Sequence, residues 1–143
     1  VSLDVRLGLS AKLANTTSIT SKLASAASGF EKAIYHEEAP AGAAFPYIIF
    51  SETAGSKVRA MQTPEAFKRE TWMVKAVDRS TSSRLAEEIA DAVDAVLDGG
   101  TLSVTNKTVA DLCHVGDVDY PETSGDQRYR HKGARYRITL TAS

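Results

Sequence analysis

The segment from Asp78 to Gly100 constrains this chain more than any other, because it reads as one amphipathic helix and nothing else. Asp78-Arg79-Ser80-Thr81-Ser82 supplies N-cap residues, and Leu85, Ile89, Ala92, Val93, Val96 and Leu97 recur at helical spacing along one face. Arg84, Glu87, Glu88, Asp91 and Asp94 fall on the opposite face, where the expectation is a solvated surface, and Gly99-Gly100 ends the run. A single apolar stripe must be buried against another layer, and the remaining sequence supplies strands to form it.

Arg69 to Val77 alternates, with Thr71, Met73, Lys75 and Val77 on one side and Trp72, Val74 and Ala76 on the other. Phe45-Pro46-Tyr47-Ile48-Ile49-Phe50 is a nearly continuous aromatic and β-branched run, with Pro46 expected at the strand's start. Val109–Val118 and Gln127–Thr141 read as long strands joined through Tyr120–Gly125, and they are expected to pair antiparallel. Ala33–His36 and Leu102–Val104 read as shorter strands.

Ahead of these, Leu3, Leu7, Leu9 and Leu13 mark a first helix. The cluster Asn15-Thr16-Thr17-Ser18 is expected to break it and cap a second, Ile19 to Ala27, closed by Gly29. Residues 53–68 have only scattered apolar positions and read as a long exposed loop, of the kind that serves a function. The reading is a single α+β domain over 1–143, a mostly antiparallel sheet with helices packed on one face.

The 143 residues carry 17 Lys and Arg against 18 Asp and Glu, so no global pull toward nucleic acid or an anionic membrane is expected. The longest apolar stretch, Ala43–Phe50, is far short of the ~20 residues a transmembrane helix needs, and no membrane partner is expected. The sequence Val1-Ser2-Leu3-Asp4 lacks a basic start followed by an apolar run, so no signal or transit peptide is expected there. A single cysteine, Cys113, can neither staple a small fold nor complete a four-ligand zinc site, and it reads as a small buried apolar residue.

His36, His114 and His131 sit on separate elements, and His36-Glu37-Glu38 lacks the second histidine of a zinc-binding helix. Cys113 and His114 are neighbours in a strand and point to opposite faces, so they form no nucleophile and base pair. Neither a nucleophile elbow nor a phosphate-binding glycine loop occurs, so no enzyme and no cofactor is expected.

One local anomaly remains. Asp126–Arg137 holds five Lys and Arg against one Asp, a net of +4, interleaved with Tyr129 and Tyr136. Such a stretch could contact phosphates and stack bases, which makes a nucleic-acid-binding module over 128–137 one reading. The other is a solvated or partner-facing strand, with a bulge at Gly133 bringing Tyr129 and Tyr136 to one face.

The run Ile34-Tyr35-His36-Glu37-Glu38-Ala39-Pro40-Ala41-Gly42-Ala43-Ala44-Phe45-Pro46-Tyr47-Ile48-Ile49-Phe50 resembles the signature of the tail terminator proteins of long-tailed bacteriophages, also called tail completion or head-tail joining proteins. The strand with Thr71, Trp72 and Val74 leading into the helix Arg84–Leu97, and the closing strand with Arg128-Tyr129-Arg130 and Arg135-Tyr136-Arg137-Ile138, follow in the family's order.

The resemblance implies a structural virion protein of the tail-neck region, assembled in the host cytoplasm as a homohexameric ring. That ring would cap the tail tube protein, meet the head completion or connector protein and let genome DNA pass through its lumen without sequence-specific binding. Ring closure needs two different patches that meet. On sign complementarity, Arg128, Arg130, Lys132 and Arg135 are expected to face Glu87, Glu88, Asp91 and Asp94 or an acidic neighbour protein. In the 53–68 segment, Lys57, Arg59, Met61 and Phe67 are expected to order on contact with tube or connector.

Overall fold

The computed structural model describes residues 3–60, 63–79 and 82–142, the side chains of 57–66 and 142 excepted. The element order is α1 (Leu3–Ala14), α2 (Thr17–Thr20), β1 (Ile34–His36), β2 (Tyr47–Ala60), β3 (Thr63–Asp78), α3 (Arg84–Leu97), β4 (Lys107–Ser124) and β5 (Gln127–Ala142). The strands form one sheet in the order β1-β2-β3-β5-β4, antiparallel except for the parallel β1–β2 pair. This is the expected α+β architecture, and its frame is two long hairpins, β2–β3 and β4–β5, laid side by side.

Alternation along the strands builds the core. Trp72, Val74 and Ala76 of β3 and Ala134, Tyr136, Ile138 and Leu140 of β5 point to one face, where they pack with Ile48 and Phe50 of β2. The helices close that face with Val5, Leu9 and Leu13 of α1, Ile19 of α2, and Ala86, Ile89, Val93 and Leu97 of α3. Each fully buried aliphatic side chain here contributes about 1.5–3 kcal/mol relative to exposure. Among the described residues no helix packs on the opposite face of the sheet, and we call it the open face.

Four sequence expectations are corrected. Residues 53–68 are not a loop but the distal half of the β2–β3 hairpin, whose ladder runs from Ala54 opposite Thr71 to Ala60 opposite Thr63. Thr53, Ala54, Gly55 and Ser56 are all exposed, so no hydrophobic period marks 53–56 as a strand; the backbone ladder holds it, with the Thr53 hydroxyl donating to the Thr71 carbonyl at 3.2 Å. Of the residues expected to act there, Lys57 and Arg59 lie near the end of β2, Phe67 is a half-buried residue of β3, and Met61 lies outside the described residues.

The second helix stops at Thr20 rather than Ala27, because the chain turns away and Ala24 N–H donates to the Pro46 carbonyl at 3.0 Å. Leu102–Val104 forms no strand, only an isolated bridge between Val104 and Lys107. Gly133 is not a bulge: the β3–β5 register is unbroken from Lys68 opposite Leu140 to Asp78 opposite Arg130. A Cβ at Gly133 would lie 2.1 Å from the Val74 carbonyl oxygen and 2.5 Å from Lys75 Cα, so glycine is there for close strand approach. The bulges lie instead in β2, between Glu52 and Ala54 and between Val58 and Ala60, and in β4, between Val109 and Asp111 and between His114 and Gly116.

One polar cluster is sealed into the covered face. The Glu70 side chain is wholly buried; its Oε1 accepts the Trp72 indole N–H at 2.9 Å, and the Lys68 ammonium stands 3.1 Å from Oε2. Burial, and then the neighbouring Glu70, push the carboxyl pKa of Glu52 upward.

Candidate functional site

Because β5 alternates without interruption, the basic strand does not present one surface. Arg128, Arg130 and Lys132 share the helix side with Ala134 and Tyr136, whereas Tyr129, His131, Arg135 and Arg137 share the open face. Tyr129 and Tyr136 therefore lie on opposite faces. A continuous track of cations and aromatics, as nucleic-acid binding by this strand alone would use, is divided in two.

On the helix side the basic strand and the acidic helix meet within one chain. The Lys132 ammonium lies 3.6 Å from Glu87 Oε1 of α3 and also pairs with Asp119 of β4. Asp94, expected at a solvated face, instead turns toward the sheet, where its Oδ1 accepts the Tyr136 hydroxyl at 2.9 Å and lies 2.7 Å from His114 Nδ1. Glu87, Glu88 and Asp91 remain exposed, as expected.

His114 is the centre of a constellation that the sequence does not announce. Its Nδ1 faces Asp94 and its Nε2 lies 2.8 Å from Asp117 Oδ1, while its backbone N–H donates to Asp98 Oδ1 at 2.9 Å. Two carboxylates on the two ring nitrogens call for a proton on each, and the pKa of His114 is raised above 6.5, first by the bond to Asp94. The cluster fastens the C-terminal end of α3 to β4 and β5. Cys113 next to it is half-buried rather than buried, 3.6 Å from both Asp111 Oδ2 and Arg137 Nη2, and burial pushes its thiol pKa up.

The open face has two zones. Around the middle stand Arg69, Arg135 and Arg137, all exposed, with Arg135 donating to the Asp117 carbonyl oxygen at 3.3 Å and Arg137 lying 3.5 Å from Asp111 Oδ2. Toward the start of β2 the surface sinks into a cleft of about 900 Å³, whose lining includes Glu37, Glu38, Phe45, Asp78, Glu122 and His131.

The His131 ring stacks on Tyr120 at 4.3 Å, and the Lys75 ammonium donates to the Tyr120 hydroxyl at 2.7 Å. His131 Nε2 lies 2.8 Å from Glu122 Oε1, yet burial holds the His131 pKa below 6.5. A neutral ring bonded this way carries its proton on Nε2, which donates to Glu122, and leaves Nδ1 as an acceptor; that atom is buried and has no hydrogen-bond partner among the described residues. Phe45 packs against Tyr47 and Tyr129 at centroid distances of 4.9 and 5.5 Å, and the Arg79 guanidinium lies 5.3 Å from the Phe45 ring centre.

Sequence reasoning missed this cleft. The signal was the tight turn at Gly125-Asp126, which sets Glu122 opposite Tyr129 and Tyr120 opposite His131 once the hairpin register is counted back from it. Among the described residues no cluster of three or more His, Cys, Asp or Glu is placed to hold a metal ion, and no helix is long and apolar enough to cross a membrane.

Comparison with known proteins places this geometry in context. A family model described as "Tail completion protein gp17" matches residues 9–141. A solved chain titled "Virion of native gene transfer agent (GTA) particle" is similar over 95% of both chains, with a TM-score of 0.69 at 15% identity. A second solved chain covers 97% of this one and 93% of its own length, with a TM-score of 0.54 and also 15% identity. At these identities the likeness is one of fold. No curated protein sequence matches.

Proposed function

The chain belongs to the tail completion protein gp17 family, and from that membership we propose that it is a ring-forming subunit that ends growth of a phage-type tail tube and joins the tail to the head connector. A structural tail or neck component of the virion is the coarse statement; the ring, its sixfold closure, its seat on the tube protein and the passage of genome DNA through its lumen are the finer reading.

One observation carries that finer reading: the two outer surfaces of the subunit bear opposite charge at the same level of the sheet. Arg135 and Arg137 stand exposed on the open face, while Glu87, Glu88 and Asp91 stand exposed on α3, on the other side. Stacking the open face of one copy on the helix layer of the next joins two different patches. Such a contact leaves each copy with one patch still unused, so it repeats, and it closes as a ring if the rotation between copies allows. Of the residues expected at this interface, Arg135 keeps its place and the exposed Arg137 joins it, whereas Lys132 is sunk between Glu87 and Asp119 and Asp94 turns inward to Tyr136 and His114, so neither is presented to a neighbour.

The test is sedimentation velocity and negative-stain imaging of the full chain, alone and with tail tubes. Rings at tube ends are expected, and the double variant Arg135→Glu, Arg137→Glu is expected to lose them while remaining folded. A wild-type chain that stays solitary and leaves tube ends bare overturns the reading.

A further inference from the structure

The cleft at the start of β2 has chemistry of its own. Its unfilled valences among the described residues are acceptors: the buried Nδ1 of His131, whose side chain is only 8% exposed, and the carboxylate of Glu38 at the rim, beside Glu37, whose Oε1 stands 3.7 Å from His36 Nε2. Phe45, Tyr47 and Tyr129 stand beside them as aromatic walls, and the one cation in the lining, Arg79, already lies over Phe45. A ligand that satisfies such a site is cationic, rich in N–H donors and flat enough to lie on a ring, which describes a guanidinium.

We propose that this cleft receives the Arg128 side chain of a second copy of the chain. The proposal rests on the ring reading and deepens it by naming a second point of contact. Arg128 is exposed and makes no hydrogen bond or ion pair among the described residues. It also lies on the correct side. Across the β4–β5 register, which is continuous from Gly116 opposite Arg135 to Ser124 opposite Gln127, Arg128 projects to the helix side, whereas Tyr129, His131 and Glu122, one and a few positions along, line the cleft on the open face.

The face-to-back stacking that sets Arg135 and Arg137 against the acidic α3 of a neighbour therefore also sets the neighbour's hairpin tip over the cleft. At the level of α3 the open face is basic and the back is acidic; at the level of the hairpin tip the signs are exchanged. One and the same face-to-back contact satisfies both levels, and a copy shifted along the sheet would bring like charges together.

The experiment compares Arg128→Glu, Glu38→Arg and the double variant in sedimentation velocity, with circular dichroism to confirm that each is folded. Each single reversal is expected to weaken association by about tenfold or more, and the double to recover most of the loss, because a close charge pair couples across an interface. A second measurement uses the wild-type chain labelled with ¹⁵N-histidine and titrated with L-argininamide. The His131 Nδ1 resonance is expected to shift with saturation, and the shift to vanish in Glu38→Arg.

Single reversals that associate like the wild type, or an Nδ1 resonance that argininamide leaves in place, overturn the proposal. A wild-type chain that forms no ring sinks the second copy as occupant along with the ring reading. If the argininamide shift persists in that case, the cleft keeps its guanidinium chemistry, and the two failures are told apart.

Discussion

His114 Nδ1 and Asp94 Oδ1 stand 2.7 Å apart, joining strand β4 to helix α3 across twenty residues of sequence, and the same carboxylate oxygen also accepts the Tyr136 hydroxyl. The bond makes a titratable group part of the contact between helix layer and sheet.

The first prediction follows from its sign. His114 has a folded-state pKa above 6.5, so its contribution is fully present below 6.5 and is lost as pH rises through the raised value. His131 is shifted the other way by burial; its contribution is full above 6.5 and is lost as pH falls through the depressed value. Thermal melts across pH should therefore show greatest stability near 6.5. The decline on the alkaline side should flatten in His114→Gln while the acid side persists.

Gly133 and Gly125 should respond differently to alanine. At Gly133 the new Cβ meets the backbone of Val74 and Lys75, which cannot yield without breaking the β3–β5 ladder, and a loss of about 3 kcal/mol is expected. At Gly125 the space is open and only the left-handed backbone, φ +61, is strained, so a loss of about 1 to 2 kcal/mol is expected. Urea denaturation of the two variants gives both numbers, and equal costs would contradict the close-approach account.

Trp72→Phe should cost more than the ring area alone. It strips the N–H that Glu70 Oε1 accepts and leaves a buried carboxylate oxygen without that donor, a penalty of about 1–3 kcal/mol beyond packing. Adding Glu70→Leu to that background should recover part of the loss in the same denaturation assay.

Lys132 and Arg135 separate folding from assembly. Lys132→Met removes a cation held between Glu87 and Asp119 of its own chain, partly exposed, and should lower stability by about 1 kcal/mol without changing association. Arg135→Glu should leave the melt nearly unchanged and weaken association. Sedimentation and melting of both variants check this, and a reversal of the two effects would contradict a contact made through Arg135 on the open face.

What the chain's local periods determined is the set of elements and their kind. The stripe from Leu85 to Leu97 makes α3, the alternation around Trp72 makes β3, and the paired long runs about Gly125-Asp126 make the β4–β5 hairpin, because each depends on residues within a turn or two of one another. Exposed strand half-turns such as 53–56 escaped, since a strand wet on both faces has no hydrophobic period to read.

The tertiary structure alone decided which charges face each other. Lys132 and Arg135 are near neighbours in a sequence that reads as one basic run, yet the pleat sends the first to α3 and the second to the open face. His114 meets Asp94, and His131 comes to line a cleft with Glu37, Glu38 and Asp78, only because elements distant in sequence pack side by side. Such pairings depend on register and layer packing, and no local pattern encodes them.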